Sequence, residues 1–357
     1  MKNLYAPYLQ RVKAEIREVL KVYPLVELDS VYLGGGTPSL VDPALLEDLF
    51  EEIEGQIGIA QEAEVTVEAN PLSVDYQNAI KWRDVGINRV SLGIQGFDPD
   101  LLAILGRKGD SKASRAAYEN LREAGFTNIN IDLIFGVPGQ DEVSWSRTLE
   151  RAIELQPEHI STYCLTYEPN TLLYKRWQNG EIDGPDPDRE YILMESGARI
   201  LEAAGYKWYE ISNFAKDGFF GRHNLAYWDA HSYIGVGCGA HSCVNFKNNN
   251  GITEKRLRYW NVGAVKEYIA EADIADDFEV LDNKTAAAEH AELALRTIFG
   301  INLKKFESQY GSSAAEQIKD VLEHARHLEL VELENSVQYR PTRKGYFLNN
   351  QIGVLLV

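Results

Sequence analysis

The sequence predicts an α/β protein: a partial β/α barrel followed by a C-terminal winged-helix-like α+β domain. Three observations carry this. Short β-rich runs alternate with helical stretches, the pattern of a mostly parallel sheet. Three helices end on the same punctuation, a glycine and one bulky residue before the next strand, at Gly86-Ile87, Gly125-Phe126 and Gly205-Tyr206. Polar residues collect at the carboxyl ends of the strands, where barrel enzymes place their chemistry and an open sheet has no need of them on every strand.

The chain opens with an amphipathic helix. Val12, Ile16, Val19, Leu20 and Tyr23 recur at helical spacing until Pro24 stops the pattern. Strand-like runs follow at Val31 to Leu33, Val65 to Val67, Arg89 to Ile94, Ile129 to Ile134, Ile160 to Leu165 and Trp208 to Ile211. Glycine tolerates the left-handed conformation that ends a helix, which explains the repeated punctuation between them.

Beyond Asn213 the composition changes to a Gly-rich, aromatic stretch from Phe219 to Asn250, expected to be irregular and packed on the barrel. From Lys284 two helical runs, a hairpin from Leu330 to Tyr339 and a last helix suggest the winged-helix module. The expected division is therefore a barrel over 1-215, a connecting segment over 216-283 and the terminal domain over 284-357.

A net charge of -18 repels polyanions, so nucleic-acid binding is not expected, and the acidic wing with Glu329, Glu332 and Glu334 disfavours a DNA-binding reading of the tail. No apolar window approaches the roughly 20 residues of a membrane span, and no signal sequence is evident, so the expectation is a cytoplasmic protein with no transmembrane segment. Three cysteines, Cys164, Cys238 and Cys243, are too few and too far apart for a secreted disulfide framework.

Gly34-Gly35-Gly36-Thr37-Pro38 follows the first strand without the Lys-Ser/Thr of a Walker loop or the spacing of a dinucleotide fingerprint. Its glycines allow close approach of backbone to a ligand, or simply a tight turn. With it come Glu68-Ala69-Asn70-Pro71, Ser91-Leu92-Gly93-Ile94-Gln95-Gly96-Phe97, Leu105-Gly106-Arg107-Lys108-Gly109, and the run from Asn130 to Gln140, NIDLIFGVPGQ.

These ordered motifs closely resemble the coproporphyrinogen III oxidase-like branch of the radical S-adenosylmethionine (SAM) superfamily. The resemblance extends from Leu25 to the C-terminus. It implies a partial (β/α)6 barrel, here without its first strand. It also implies SAM contacts at Gly35, Gly36, Thr37, Glu68, Gln95, Arg107 and Asp132. Carboxylates such as Glu68 and Asp132 suit an ammonium or ribose hydroxyls, since an ionised acceptor bonds more strongly than a neutral one. Read alone, the same two carboxylates are equally candidates for ion pairing with Arg107.

His223-Asn224-Leu225-Ala226-Tyr227-Trp228 is similar to the HNxxYW sequence of the HemW-type haem chaperones. The resemblance implies haem at His223 and Tyr227 and haem-accepting partner proteins. His is a common axial ligand of haem iron, whereas a lone His is more often a packed core residue. The runner-up function is the oxygen-independent coproporphyrinogen III oxidase. Tyr233 to Ser242, YIGVGCGAHS, has small residues that imply close approach to the barrel floor or the SAM adenine; Cys238, Cys243, His231 and His241 also form a nominal zinc set.

The family's CxxxCxxC motif, which holds a [4Fe–4S] cluster, does not occur in this sequence. Either the true start lies upstream of Met1, or the chain is a cluster-free paralogue. No radical chemistry is expected from the sequence as it stands, and whether it is an enzyme is left open.

Overall fold

A computed structural model describes residues 4–25, 27–107, 111–270 and 274–356. Lys108 and Gly109 of the LGRKG run lie outside them. The chain divides into two compact units, one made of Asp29–Glu47 and Ala60–Phe220, the other of Met1–Leu28, Asp48–Ile59 and Gly221–Val357.

The first unit is built on seven strands: β1 (Leu28–Leu33), β2 (Ile59–Ala69), β3 (Arg89–Gln95), β4 (Ile129–Phe135), β5 (His159–Cys164), β6 (Lys207–Glu210) and β7 (Asn213–Ala215). They form one sheet in the order β1-β2-β3-β4-β5-β7-β6, curled into a half-barrel. From β2 to β5 every pairing is parallel. β7 departs from the expected pattern, because it runs antiparallel between β5 and β6 and closes the sheet as a hairpin. Three residues are too short a run to show any period, so the sequence displayed only β6.

The strands alternate strictly. Val67, Val90, Leu92, Ile129, Ile131, Leu133 and Ile160 are buried on one face, while Thr66, Ser91, Asn130, His159 and Ser161 occupy the other. That two-residue period separates an apolar layer from a polar interior. Gly86, Gly125 and Gly205 have φ of +95°, +92° and +89°, the left-handed geometry their position at helix ends requires.

The second unit contains the N-terminal helix Tyr5–Val22 and a three-stranded antiparallel sheet of β8 (His241–Lys247), β9 (Thr253–Asn261) and β10 (Ala275–Asp282). Part of this region was expected to be irregular. Register shifts in both pairings and a mixture of charged and aromatic residues hide the strand period from a sequence reading.

The glycines of YIGVGCGAH permit close approaches within the second unit. A Cβ on Gly235 would lie 2.1 Å from the His241 carbonyl oxygen, and one on Gly237 would lie 2.5 Å from the Tyr8 hydroxyl. They bring this segment against β8 and the N-terminal helix.

That packing is fixed by one buried carboxylate. Glu15 accepts hydrogen bonds from the Gly237 N–H at 2.9 Å, from Asn261 Nδ2 at 2.7 Å and from the Tyr268 hydroxyl. Lys13 and Arg17 of the same helix pair with Asp48 and Glu52 at 2.6 and 2.5 Å.

At the C-terminal end come helix Asn283–Ala294, β11 (Ile301–Asn302), helices Leu303–Tyr310 and Ser312–His327, and the hairpin β12 (Val331–Glu334) and β13 (Gln338–Pro341). β11 joins the hairpin as a third strand, which is the element order of a winged helix. Leu295, Ile318, Leu322, Leu330 and Tyr339 belong to its core. Among the described residues no helix is long and apolar enough to cross a membrane.

Candidate functional site in the half-barrel

Immediately after β1, Gly35 and Gly36 take φ of +76° and +62°, a turn that side chains with a Cβ rarely adopt. The turn points the Gly35 N–H at Glu68 Oε2, 3.2 Å away. Glu68 Oε1 accepts from the Tyr32 hydroxyl at 2.9 Å. Gly34 is pinned between them, since its Cβ would sit 2.7 Å from the Tyr32 ring.

Burial pushes the Glu68 carboxyl above its ordinary range and the charge of Asp132 pushes it further, while the bonds from Tyr32 and Gly35 oppose the shift. Desolvation disfavours the charged form, and a second carboxylate in the same interior adds to it. A cationic ligand would reverse both effects.

On β4, Asp132 accepts from Ser91 Oγ at 2.9 Å and from Asn130 Nδ2 at 2.7 Å. Its carboxyl is also raised, by burial. Asn130 Oδ1 lies 2.6 Å from His159 Nδ1, and His159 Nε2 lies 2.7 Å from the Tyr209 hydroxyl. The His159 ring is fully buried and desolvation holds its pKa well below the usual value, so it is a neutral member of the network.

Gln95 ends β3 with φ of +66°, beside an irregularity in the β3–β4 register. Left-handed backbone in a non-glycine residue costs of order 1 kcal/mol or more and clusters at ligand sites. Here it turns the strand end so that Gln95 lines a cavity.

That cavity has a volume of about 530 Å³, and Gly36, Thr37, Glu68, Gln95, Arg107 and Asp132 all line it. Six of the seven positions expected to contact SAM therefore meet at one mouth, and the seventh, Gly35, is tied to Glu68. The hydrogen bonds described for Glu68 and Asp132 come from neighbours on β1, β3 and β4, so an ion pair with Arg107 is not what holds these carboxylates among the described residues.

The sequence reading missed Tyr32, Ser91, Asn130, His159 and Tyr163. Ser91 pairs with Glu68 across β2 and β3 and Asn130 lies two positions before Asp132, so the strand period was the available signal for them; His159 and Tyr163 pair with Asn130 and Ile134, one step further from any residue that reading found. It also missed Cys164, which lines the cavity at the end of β5; burial and the neighbouring Glu190 push its thiol up to about 12.

His223 and Tyr227 belong to the other unit. They sit on the helix Arg222–Trp228, one turn apart as the sequence implied, with ring centroids 4.9 Å apart and planes at 83°. Tyr227 packs in turn on Tyr233 at 4.4 Å. Asp229, just past the helix, lies 3.1 Å from His231 Nε2 and 3.5 Å from His290 Nε2.

The nominal zinc set does not form. Cys238 Sγ donates to the Gly263 carbonyl at 2.9 Å, and among the described residues no three His, Cys, Asp or Glu side chains are grouped to hold a metal. Cys164 lies at the end of β5, Cys238 and Cys243 belong to the other unit, and the three do not have the CxxxCxxC spacing.

Residues 4–152 match the model of the radical SAM superfamily. The "Heme chaperone HemW" of Bacillus subtilis is 33% identical over 350 residues, covering 97% of this chain and 89% of that protein. The protein of the same name from Escherichia coli is 38% identical over 234 residues, covering 65% of this chain and 61% of its own length. Among solved structures, the coproporphyrinogen III oxidase HemN from Escherichia coli superposes with a TM-score of 0.81 at 20% identity, over 100% of this chain and 84% of that one, a likeness of fold. With that fold, those barrel-end motifs and that extent of identity, the chain belongs to the HemW family of the radical SAM superfamily.

Proposed function

We propose that this protein is a haem chaperone that binds SAM in the half-barrel and haem at His223 and Tyr227, and passes the haem to acceptor proteins in the cytoplasm. The observation that carries the SAM part is the convergence of Gly36, Thr37, Glu68, Gln95, Arg107 and Asp132 on one cavity.

The residues fit the group. A cavity of about 530 Å³ is in the range of small-molecule sites, and SAM brings a sulfonium and an ammonium to an interior holding two desolvated carboxylates. Glu68, oriented by Tyr32 and Gly35, would hold the ammonium or the ribose hydroxyls; Asp132, oriented by Ser91 and Asn130, would hold the other. Arg107 would take the carboxylate of the amino-acid end as a charge-assisted pair. SAM supplies radical chemistry only together with an iron–sulfur cluster, and no step of that kind is assigned to these residues.

For haem, the support is the HNxxYW helix itself, whose His and Tyr share one face. The experiment is paired. Calorimetric titration with SAM should show binding in the wild type and a loss of at least tenfold in Asp132→Ala; equal affinities would remove the barrel site. Haem titration followed in the Soret region should change when His223→Ala is combined with Tyr227→Ala, and an unchanged spectrum would remove the haem site alone.

A further inference from the structure

In the three-stranded sheet of the second unit, the face that carries Asn261 is covered at that end, where Asn261 bonds Glu15 of the N-terminal helix, and is open toward Phe278, Val280 and Phe246. Its register aligns Val280 with Leu257 and Leu257 with Val244, and sets Phe278 opposite Tyr259. By the two-residue period these side chains, with Phe246, share a face. Phe278 is 66% exposed, Val280 54% and Phe246 44%. On the opposite face Cys243, Arg256 and Leu281 are all under 7% exposed, and the exposed positions are polar, Asp277, Glu279 and His241. An antiparallel sheet that packs on one side normally turns polar residues to water on the other. This one turns a contiguous apolar stripe to water, the signature of an interaction surface.

β10 is also an edge strand, paired with β9 on one side only. Seven of its eight residues are exposed. Its stripe-side residues run Phe278, Val280, Asp282; Asp277 and Glu279 project from the other side, and Asp276 sits at the register shift between Ala275 and Asp277. Glu279 is ion-paired to Arg258 at 2.7 Å and Asp282 accepts from the Thr285 N–H. Asp276 and Asp277 are exposed carboxylates beside the open edge, and Asp277 Oδ1 accepts from the Phe278 N–H at 2.8 Å.

We propose that β10 and its apolar face dock an extended segment of a partner protein, apolar at alternate positions and carrying lysine or arginine between or beside them. The remaining edge N–H and C=O groups of β10 supply the main-chain bonds, the Phe278 N–H being held by Asp277, and Phe278, Val280 and Leu257 receive the alternate side chains. Charge selects the occupant. A second copy of the chain, with net charge -18, would set one acidic edge against another, whereas a basic segment is drawn to it. The same acids guard the free edge against self-association. The inference rests on the sheet alone and stands whether or not the haem reading holds.

The test uses the full chain and fluorescein-labelled ten-residue peptides of alternating lysine and valine, followed by anisotropy. The expected result is saturable binding that weakens with salt, protection of β10 amides from hydrogen exchange, and at least tenfold weaker binding in Phe278→Asp with Val280→Asp. That variant is surface-located, and an unchanged thermal melt shows that it is folded. Asp276→Asn with Asp277→Asn should weaken binding severalfold and flatten its salt dependence. Equal binding of a peptide with its lysines and valines in separate blocks, or of the folded double aspartate variant, overturns the proposal. So does a dimer in sedimentation that the double aspartate variant dissociates, which would make a second copy the occupant.

Discussion

Tyr32 on β1 donates its hydroxyl to Glu68 on β2 at 2.9 Å, and this bond sets the carboxylate that faces the barrel cavity. Both groups are desolvated, but the bond acts on them in opposite senses: it favours the ionised Glu68 carboxylate, while burial and the Glu68 charge hold the Tyr32 hydroxyl far above its usual pKa. Tyr32 is therefore a neutral donor at every accessible pH, and Glu68 the acceptor.

Replacing Tyr32 by Phe removes the donor and keeps the ring against Gly34. With one stabilising bond gone, the Glu68 carboxyl rises further and presents less negative charge to a cation. SAM affinity should fall about tenfold, the size of one hydrogen bond to a charged group. Calorimetry checks this, and an unchanged affinity would show that Glu68 does not depend on Tyr32.

Asp132 has its pKa raised by burial. A carboxyl raised in the folded state contributes stability below the ordinary carboxylate pKa and loses it as pH rises through the folded value. Asp132→Asn should therefore match the wild type near pH 4 and be the more stable of the two at pH 8, by roughly 1.4 kcal/mol for each pH unit that separates the folded and unfolded values. The same variant should bind SAM poorly. Melting curves across that range decide the first point, and a difference that shrinks with rising pH would contradict it.

His159 shows the opposite sign. Its folded pKa is depressed by desolvation. Its stability contribution is present above the unfolded value near 6.5 and is lost as pH falls below it, by about 1.4 kcal/mol per pH unit until the folded value is reached. Substituting His159→Gln, which can still bond Asn130, should flatten this acid slope in urea denaturation measured between pH 7 and pH 5. Parallel slopes for the two proteins would assign the acid sensitivity elsewhere.

Glu15→Ala should destabilise the second unit by on the order of 3 kcal/mol. It leaves the donors of Gly237, Asn261 and Tyr268 buried without their common acceptor. Glu15→Gln keeps one acceptor oxygen and should cost less. Denaturant midpoints rank the three proteins, and a Gln variant worse than Ala would contradict the acceptor role.

The barrel was legible because its signals are local. A glycine after a helix, a β-branched run and a polar residue at the strand end each follow from the conformational preferences of a few neighbouring residues. The contact positions from Gly35 to Asp132 were legible as motifs for the same reason. β7 and the sheet of β8 to β10 were not, because a three-residue strand has no period and register shifts break the period of longer ones.

What the sequence by itself determined, then, is the order of the barrel's parallel strands and helices, the polar residues at the strand ends and the family. Only the tertiary structure decided which groups share a pocket and at what protonation cost. Nothing near Asp132 in the chain announces that Ser91, 41 residues away, donates to it, or that His159 completes the network through Asn130. Strand register makes those contacts, and burial then moves the pKa values. The glycines of YIGVGCGAH gave the same lesson: their small size was plain in the sequence, but that Glu15 and Tyr8 fill the space beside Gly237 was settled by a helix more than 200 residues earlier.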